Sequence, residues 1–149
     1  PCRTYPNQDT WIDVPVADGV ALIGDAAGHN DPITGQGLSI SLRDVRVVRD
    51  LLLGAARLSS AALAPYADER RERMRRLRFA AAVQARLTVE FDDSARALRA
   101  DILARVEKEP ELALAVFSAF AGPEAMPAEA FTQRAALRIF GSELPGIAV

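Results

Sequence analysis

The chain has 149 residues, 50% hydrophobic and 26% charged, a balance that supplies a packed core for one domain of ordinary size and excludes intrinsic disorder over most of its length. Lys and Arg number 18 against 20 Asp and Glu, for a net charge of −2, so the positive field of a non-specific nucleic-acid binder is missing. One cysteine, Cys2, and one histidine, His29, make neither an internal disulfide nor a zinc cluster, and no apolar run approaches the roughly 20 residues that span a bilayer. The expectation is a cytoplasmic protein with no nucleic-acid, metal or membrane partner.

Residues 1–13 read as a lead into a strand. Val20-Ala21-Leu22-Ile23 is a short continuous apolar run ending at Gly24-Asp25, the pattern of a central strand buried on both faces whose C-terminal end opens into a loop. From Gly24 to Gly37 the chain spends four of its nine glycines, with Asn30, Asp31 and Pro32 among them, and is a loop by composition. Leu38, Leu42, Val45, Val48 and Leu52 then repeat at helical spacing, predicting a mostly buried helix over 37–53 stopped by Gly54.

Ser59 and Ser60 are candidate caps, and Pro65 stands where a first-turn proline would start a second helix. Residues 66–91 contain no Gly or Pro and are rich in strong helix formers, so this is the longest predicted helix. Further helices are expected over 95–108, 111–121 and 128–140, divided by Pro110, Gly122-Pro123 and Pro127. The arginines at 70, 71, 73, 75, 76 and 78 spread around their helix and read as a solvated or packed face rather than a nucleic-acid stripe. The run 112–117 reads as core. The chain is thus expected to be mostly α-helical, with one or two strands near the N-terminus.

The chemistry concentrates between Gly24 and Asp44. A carboxylate at the C-terminal end of a buried strand lies where open α/β sheets bind ligands and can accept hydrogen bonds from ligand hydroxyls, which marks Asp25. Gly35 and Gly37 lack Cβ, so the backbone can pass against a flat ring or adopt positive φ, and Gly37 opens a helix whose first N–H groups favour an electron-rich partner. The site suits a large ligand with a polyol part near Asp25 and an electron-rich edge near 35–38. His29 has no accompanying ligand set and receives no catalytic role. Asp44, among Val45, Val47 and Val48, is either a structural acceptor or a ligand-site residue.

The run resembles the second FAD-binding motif of the group A flavin-dependent monooxygenases, the aromatic-hydroxylase type, in which a strand leads into Gly-Asp-Ala-Ala, then Pro, then Gly-Gln-Gly and a helix. Here Pro32 lies seven residues after Asp25, Gly37 twelve after it, and Asp44 seven after Gly37. The resemblance implies an α/β parent fold of the glutathione-reductase-like FAD-binding kind. Residues 1–54 would be the C-terminal part of the FAD-binding domain, and 55–149 a helical region packing on it. It also implies that Gly24 would be a cofactor-binding residue, Asp25 would bind the ribityl hydroxyls of FAD and Pro32 would line the isoalloxazine. Gly35, Gln36, Gly37 and Leu38 would face the pyrimidine edge, where a helix N-terminus stabilises negative charge on reduced flavin. NAD(P)H would reduce the flavin, and O₂ would supply an oxygen atom to a small-molecule substrate.

The family often has His three residues after the Asp and Asn two after the last Gly, where this chain has Gly28 and Ser39. The Gly-x-Gly-x-x-Gly segment that holds the ADP half of FAD is not among these residues. The reading is therefore a part of a flavin monooxygenase, completed by an N-terminal half or by self-association. The alternatives are a non-catalytic helical module or truncated relic that retains the motif, or a flavin-dependent halogenase or reductase on the same scaffold.

Overall fold

The computed structural model describes residues 9–144. Cys2 and the first part of the expected lead into a strand lie outside those residues, and 9–15 carry no regular structure. The chain divides into two compact units, Pro1–Glu72 and Arg73–Val149. The first unit runs past residue 54 and takes in Tyr66 and Arg70, which bond back to residues 22–28.

In the first unit, β1 (Val16–Ala17) and β2 (Val20–Ala21) form an antiparallel pair with Val16 opposite Ala21 and Ala17 opposite Val20. Asp18-Gly19 makes the two-residue turn, with Gly19 at φ +77° and Asp18 outside the positive-φ region, so the second turn position takes the left-handed backbone that glycine adopts without strain. The expectation of a central strand buried on both faces is corrected: Val20 is exposed, and among the described residues the strand's partner is its own hairpin. The overlooked signal is Asp18-Gly19, which turns Val16-Ala17 back onto Val20-Ala21.

Two single-turn 3-10 helices follow, Gly24–Ala27 and Pro32–Thr34. Then α1 spans Gly37–Gly54. Its buried residues are Ile40 and Asp44, while Leu38, Leu42, Val45, Leu52 and Leu53 are exposed, so the mostly buried helix of the sequence reading is also corrected. Periodicity identifies an apolar face, but burial requires a partner, and α1 buries Ile40 and Asp44 where it meets the Gly24 turn and Arg70 of the next helix.

Helix α2 (Ser60–Thr88) runs through the division between the units. It starts earlier than Pro65 implies because Ser59 Oγ accepts the Ala62 N–H at 3.2 Å and Asp18 Oδ1 accepts the Ser60 N–H at 2.8 Å. These contacts satisfy first-turn donors, and Pro65 then costs one interior helix bond.

In the second unit, the later part of α2 packs with α3 (Asp93–Lys108), α4 (Leu112–Ala121) and α5 (Gln133–Phe140). Asp92 and Thr132 cap α3 and α5, and Gly141 at φ +70° ends α5. The expected helix over 128–140 is shorter at its start, with Ala128–Phe131 a 3-10 turn leading to the Thr132 cap. The core gathers Phe79, Val83, Ile102, Leu112, Val116, Phe131 and Ile139. Phe79 and Phe131 meet edge to face with centroids 6.0 Å apart, a favoured aromatic geometry.

The arginine cluster is largely packed. Arg75 donates to the Phe131 carbonyl at 2.7 Å, and the Arg76 guanidinium lies 5.5 Å from the Phe131 ring centroid. Of the run 112–117, Leu112, Ala115 and Val116 are buried while Leu114 and Phe117 are exposed. Among the described residues, no helix is long and apolar enough to cross a membrane.

Candidate functional site

The loop between β2 and α1 is shaped by glycines and caps. Gly24 enters the first 3-10 turn at φ +55° and Gly28 leaves it at φ +117°. A Cβ on Gly28 would stand 2.6 Å from the Thr10 carbonyl oxygen and 3.1 Å from Trp11 Cα, backbone atoms that cannot swing aside. Thr10 donates its N–H to the His29 carbonyl at 2.9 Å, fastening 9–11 along the loop. Further on, Asp31 Oδ1 accepts the Ile33 N–H at 2.9 Å, Pro32 occupies the first helical position, and Gly35 closes the turn at φ +64°.

Behind the loop lies a buried ion pair. Asp44 Oδ2 accepts the Gly24 N–H at 2.9 Å and Arg70 Nε at 3.0 Å, with Asp44 0% and Arg70 1% exposed. The terminal nitrogens of Arg70 donate to the carbonyls of Ala27 at 3.2 Å, Gly24 at 3.1 Å and Gly28 at 3.4 Å. One turn earlier on α2, the Tyr66 hydroxyl donates to the Leu22 carbonyl at 2.7 Å. A buried charge is tolerable when it is both paired and hydrogen-bonded, and the planar fork of arginine suits several acceptors at once.

Of the two sequence readings of Asp44, this geometry selects the structural acceptor. Sequence reasoning leaves Arg70 among the other arginines of its cluster. The available signals are the four-residue spacing of Tyr66 and Arg70, which puts both on one helix face, and an acidic residue among valines on α1.

In front of the loop is an open cleft of about 250 Å³, lined by Asp25, Gly28, His29, Asn30, Asp31, Pro32, Thr34, Gly35, Gln36, Gly37 and Ile40. Of the seven residues the sequence nominates, Asp25, Pro32, Gly35, Gln36 and Gly37 line this cleft. Gly24 is buried beneath it, with its N–H on Asp44, and Leu38 is 72% exposed outside it. Positions where a Cβ would stand on Gly35 or Gly37 face open space. Gly35 has the left-handed backbone expected of it, whereas Gly37 is not in the positive-φ region, so conformation does not demand glycine there.

The cleft presents an acceptor at Asp25, amide and hydroxyl groups at Asn30, Gln36 and Thr34, and an apolar contact at Ile40. The first-turn N–H groups of α1 have no acceptor within the helix and favour electron-rich atoms. Among the described residues, no group of three His, Cys, Asp or Glu is arranged to hold a metal ion.

The family described as squalene epoxidase matches residues 2–77, just over half of the chain. The chain belongs to the squalene epoxidase family. Over 71 residues, 46% of its length, it is 42% identical to the 3-(3-hydroxy-phenyl)propionate/3-hydroxycinnamic acid hydroxylase 2 of Burkholderia vietnamiensis, of which it covers 13%. It is 40% identical over 50 residues, 34% of the chain, to a squalene monooxygenase of Panax ginseng, covering 9% of that protein. With the 3-demethoxyubiquinol 3-hydroxylase of Escherichia coli it shares 42% identity over 62 residues, 42% of the chain and 16% of the relative. The chain therefore covers only 9% to 16% of the length of these relatives. No solved structure matches it. The squalene epoxidase match contains the whole cleft and both members of the buried pair, and ends close to the start of the second unit.

Proposed function

We propose that the cleft receives the isoalloxazine and ribityl portions of FAD, and that the chain is the flavin-ring side of an FAD-dependent monooxygenase. In this reading NAD(P)H and O₂ are co-substrates and a small organic molecule is oxygenated. The observation that carries it is the meeting in one cleft of Asp25, Pro32, Gly35, Gln36 and Gly37, drawn from a loop and a helix start. Names of relatives as monooxygenases and hydroxylases support the same class.

The residues fit the group. Asp25 offers a carboxylate to ribityl hydroxyls, the open space at Gly35 and Gly37 admits a flat ring, and α1 directs its N-terminal dipole toward the ring's electron-rich edge. When bound, the flavin supplies electron transfer from NAD(P)H and activation of O₂. The chain's own residues would bind and orient the group: Asp25 would hold ribityl hydroxyls, Pro32 would give a rigid wall, and Ile40 would exclude water beside it. A cleft of about 250 Å³ lies below the usual range for a whole ligand pocket. The ADP half and the substrate would be held by further residues of the same polypeptide or of a second copy.

Titration of the purified chain with FAD, following flavin absorption and fluorescence, tests the reading. Saturable quenching with a perturbed visible band is expected. A folded chain that leaves the flavin spectrum unchanged up to millimolar ligand would overturn it.

A further inference from the structure

Three carbonyl oxygens of the Asp25 loop, those of Gly24, Ala27 and Gly28, converge on one buried guanidinium, which is itself held by Asp44. The fourth contact to the same pair is the Gly24 N–H on Asp44 Oδ2. Both polar faces of the Gly24 peptide region are therefore committed inward, to α1 through Asp44 and to α2 through Arg70. Asp25, between these anchored groups, is exposed and lines the cleft on the other side of the loop.

We propose that Arg70, acting with Asp44, is the positioning residue of the cleft: it holds the 24–28 loop so that its carbonyls point away from the ligand and the Asp25 carboxylate points toward it. Arg70 does not line the cleft, and its effect passes through the loop. The physical basis is competition for orientation. A short loop with two positive-φ glycines at its ends, Gly24 and Gly28, has other accessible conformations at low cost. A guanidinium with donors fixed in a plane accepts only one arrangement of three carbonyls. Freed from it, carbonyl dipoles could turn into the cleft and repel an electron-rich ligand edge. As a statement about a flavin site this rests on the proposed function; as a statement about the loop it does not.

The test compares the wild-type chain with Arg70→Met, which keeps length and apolar contact but removes every donor. Two readouts are taken, amide hydrogen exchange across 24–28 and the dissociation constant for riboflavin. Expected results are exchange in 24–28 faster by tenfold or more, with 79–83 and 131–140 in the second unit unchanged, and riboflavin binding weaker by at least tenfold. Arg70→Ala should regain riboflavin affinity when millimolar ethylguanidinium is added, and not when ammonium replaces it. A loss of fold alone would not be repaired so selectively.

Should Arg70→Met fail to fold, Arg70→Lys, which keeps the buried cation and loses the fork, is read by the same two measurements. Unchanged exchange and unchanged affinity in a folded variant overturn the proposal. If wild-type protein binds no riboflavin while the variant's loop exchanges faster, the positioning role stands and the flavin reading falls.

Discussion

Arg70 Nε and Asp44 Oδ2 lie 3.0 Å apart with both side chains withdrawn from solvent, joining the middle of α1 to the first half of α2. Removing one partner leaves an uncompensated buried charge, whereas removing both does not. Asp44→Leu or Arg70→Met alone should destabilise the first unit by about 3–5 kcal/mol, and the double variant by clearly less than the sum. Urea unfolding followed by fluorescence of Trp11, the chain's one tryptophan, reports on this unit. Additive losses would show that the two side chains act independently.

The glycines of the loop should separate into folding and binding positions. Gly28→Ala meets the Thr10 carbonyl at 2.6 Å in a positive-φ backbone and should be strongly destabilising. Gly35→Ala meets open space and carries only the left-handed penalty, about 1–2 kcal/mol. Gly37→Ala has neither problem, so its thermal midpoint should be unchanged or slightly raised while flavin affinity falls because the new methyl group occupies ring space. Equal flavin affinity in Gly37→Ala would place the ring elsewhere.

Asp25→Ala removes a charged acceptor of ligand hydroxyls, each such bond worth about 1.5–3 kcal/mol. Flavin affinity should drop tenfold or more, with the fold retained because Asp25 is exposed. The residues in hand also lack the Gly-x-Gly-x-x-Gly segment for the ADP half, so riboflavin, FMN and FAD should bind this chain with similar affinity. Competition titrations check both points. A strong preference for FAD would mean that the chain grips the adenosine end.

Acid should loosen the starts of α2 and α3, which hold at neutral pH. The Ala95 N–H and then the Ser94 hydroxyl hold the Asp92 carboxyl below its ordinary value of 3.8, and the Ser60 N–H and hydroxyl do the same for Asp18. Carboxylates depressed in the folded state contribute stability that is complete above the unfolded value and is lost as pH falls through the folded one. Helical circular dichroism should therefore show a loss of stability as pH drops below about 4. Asp92→Asn, which caps without titrating, should lose less over that range; an identical acid profile would remove Asp92 as the cause.

The sequence by itself determined the helical character of the last two-thirds, because Ala, Leu, Arg and Glu runs between Pro and Gly breakers specify helices locally. It also nominated five of the residues that line the cleft, because the spacing from Asp25 through Pro32 to Gly35, Gln36 and Gly37 is carried by one short stretch of chain. Local rules do not say which partner a residue meets. Val20-Ala21 pairs with its own hairpin, and α1 buries Ile40 and Asp44 while leaving Leu53 81% exposed. The partners of Arg70 were equally out of reach, since its sequence neighbours are other arginines and its acceptors lie 26 to 46 residues away. Only the tertiary structure decides that Arg70 enters the interior, because burying its guanidinium requires a carboxylate and several carbonyls to converge from separate elements, and that convergence exists only once the chain has folded.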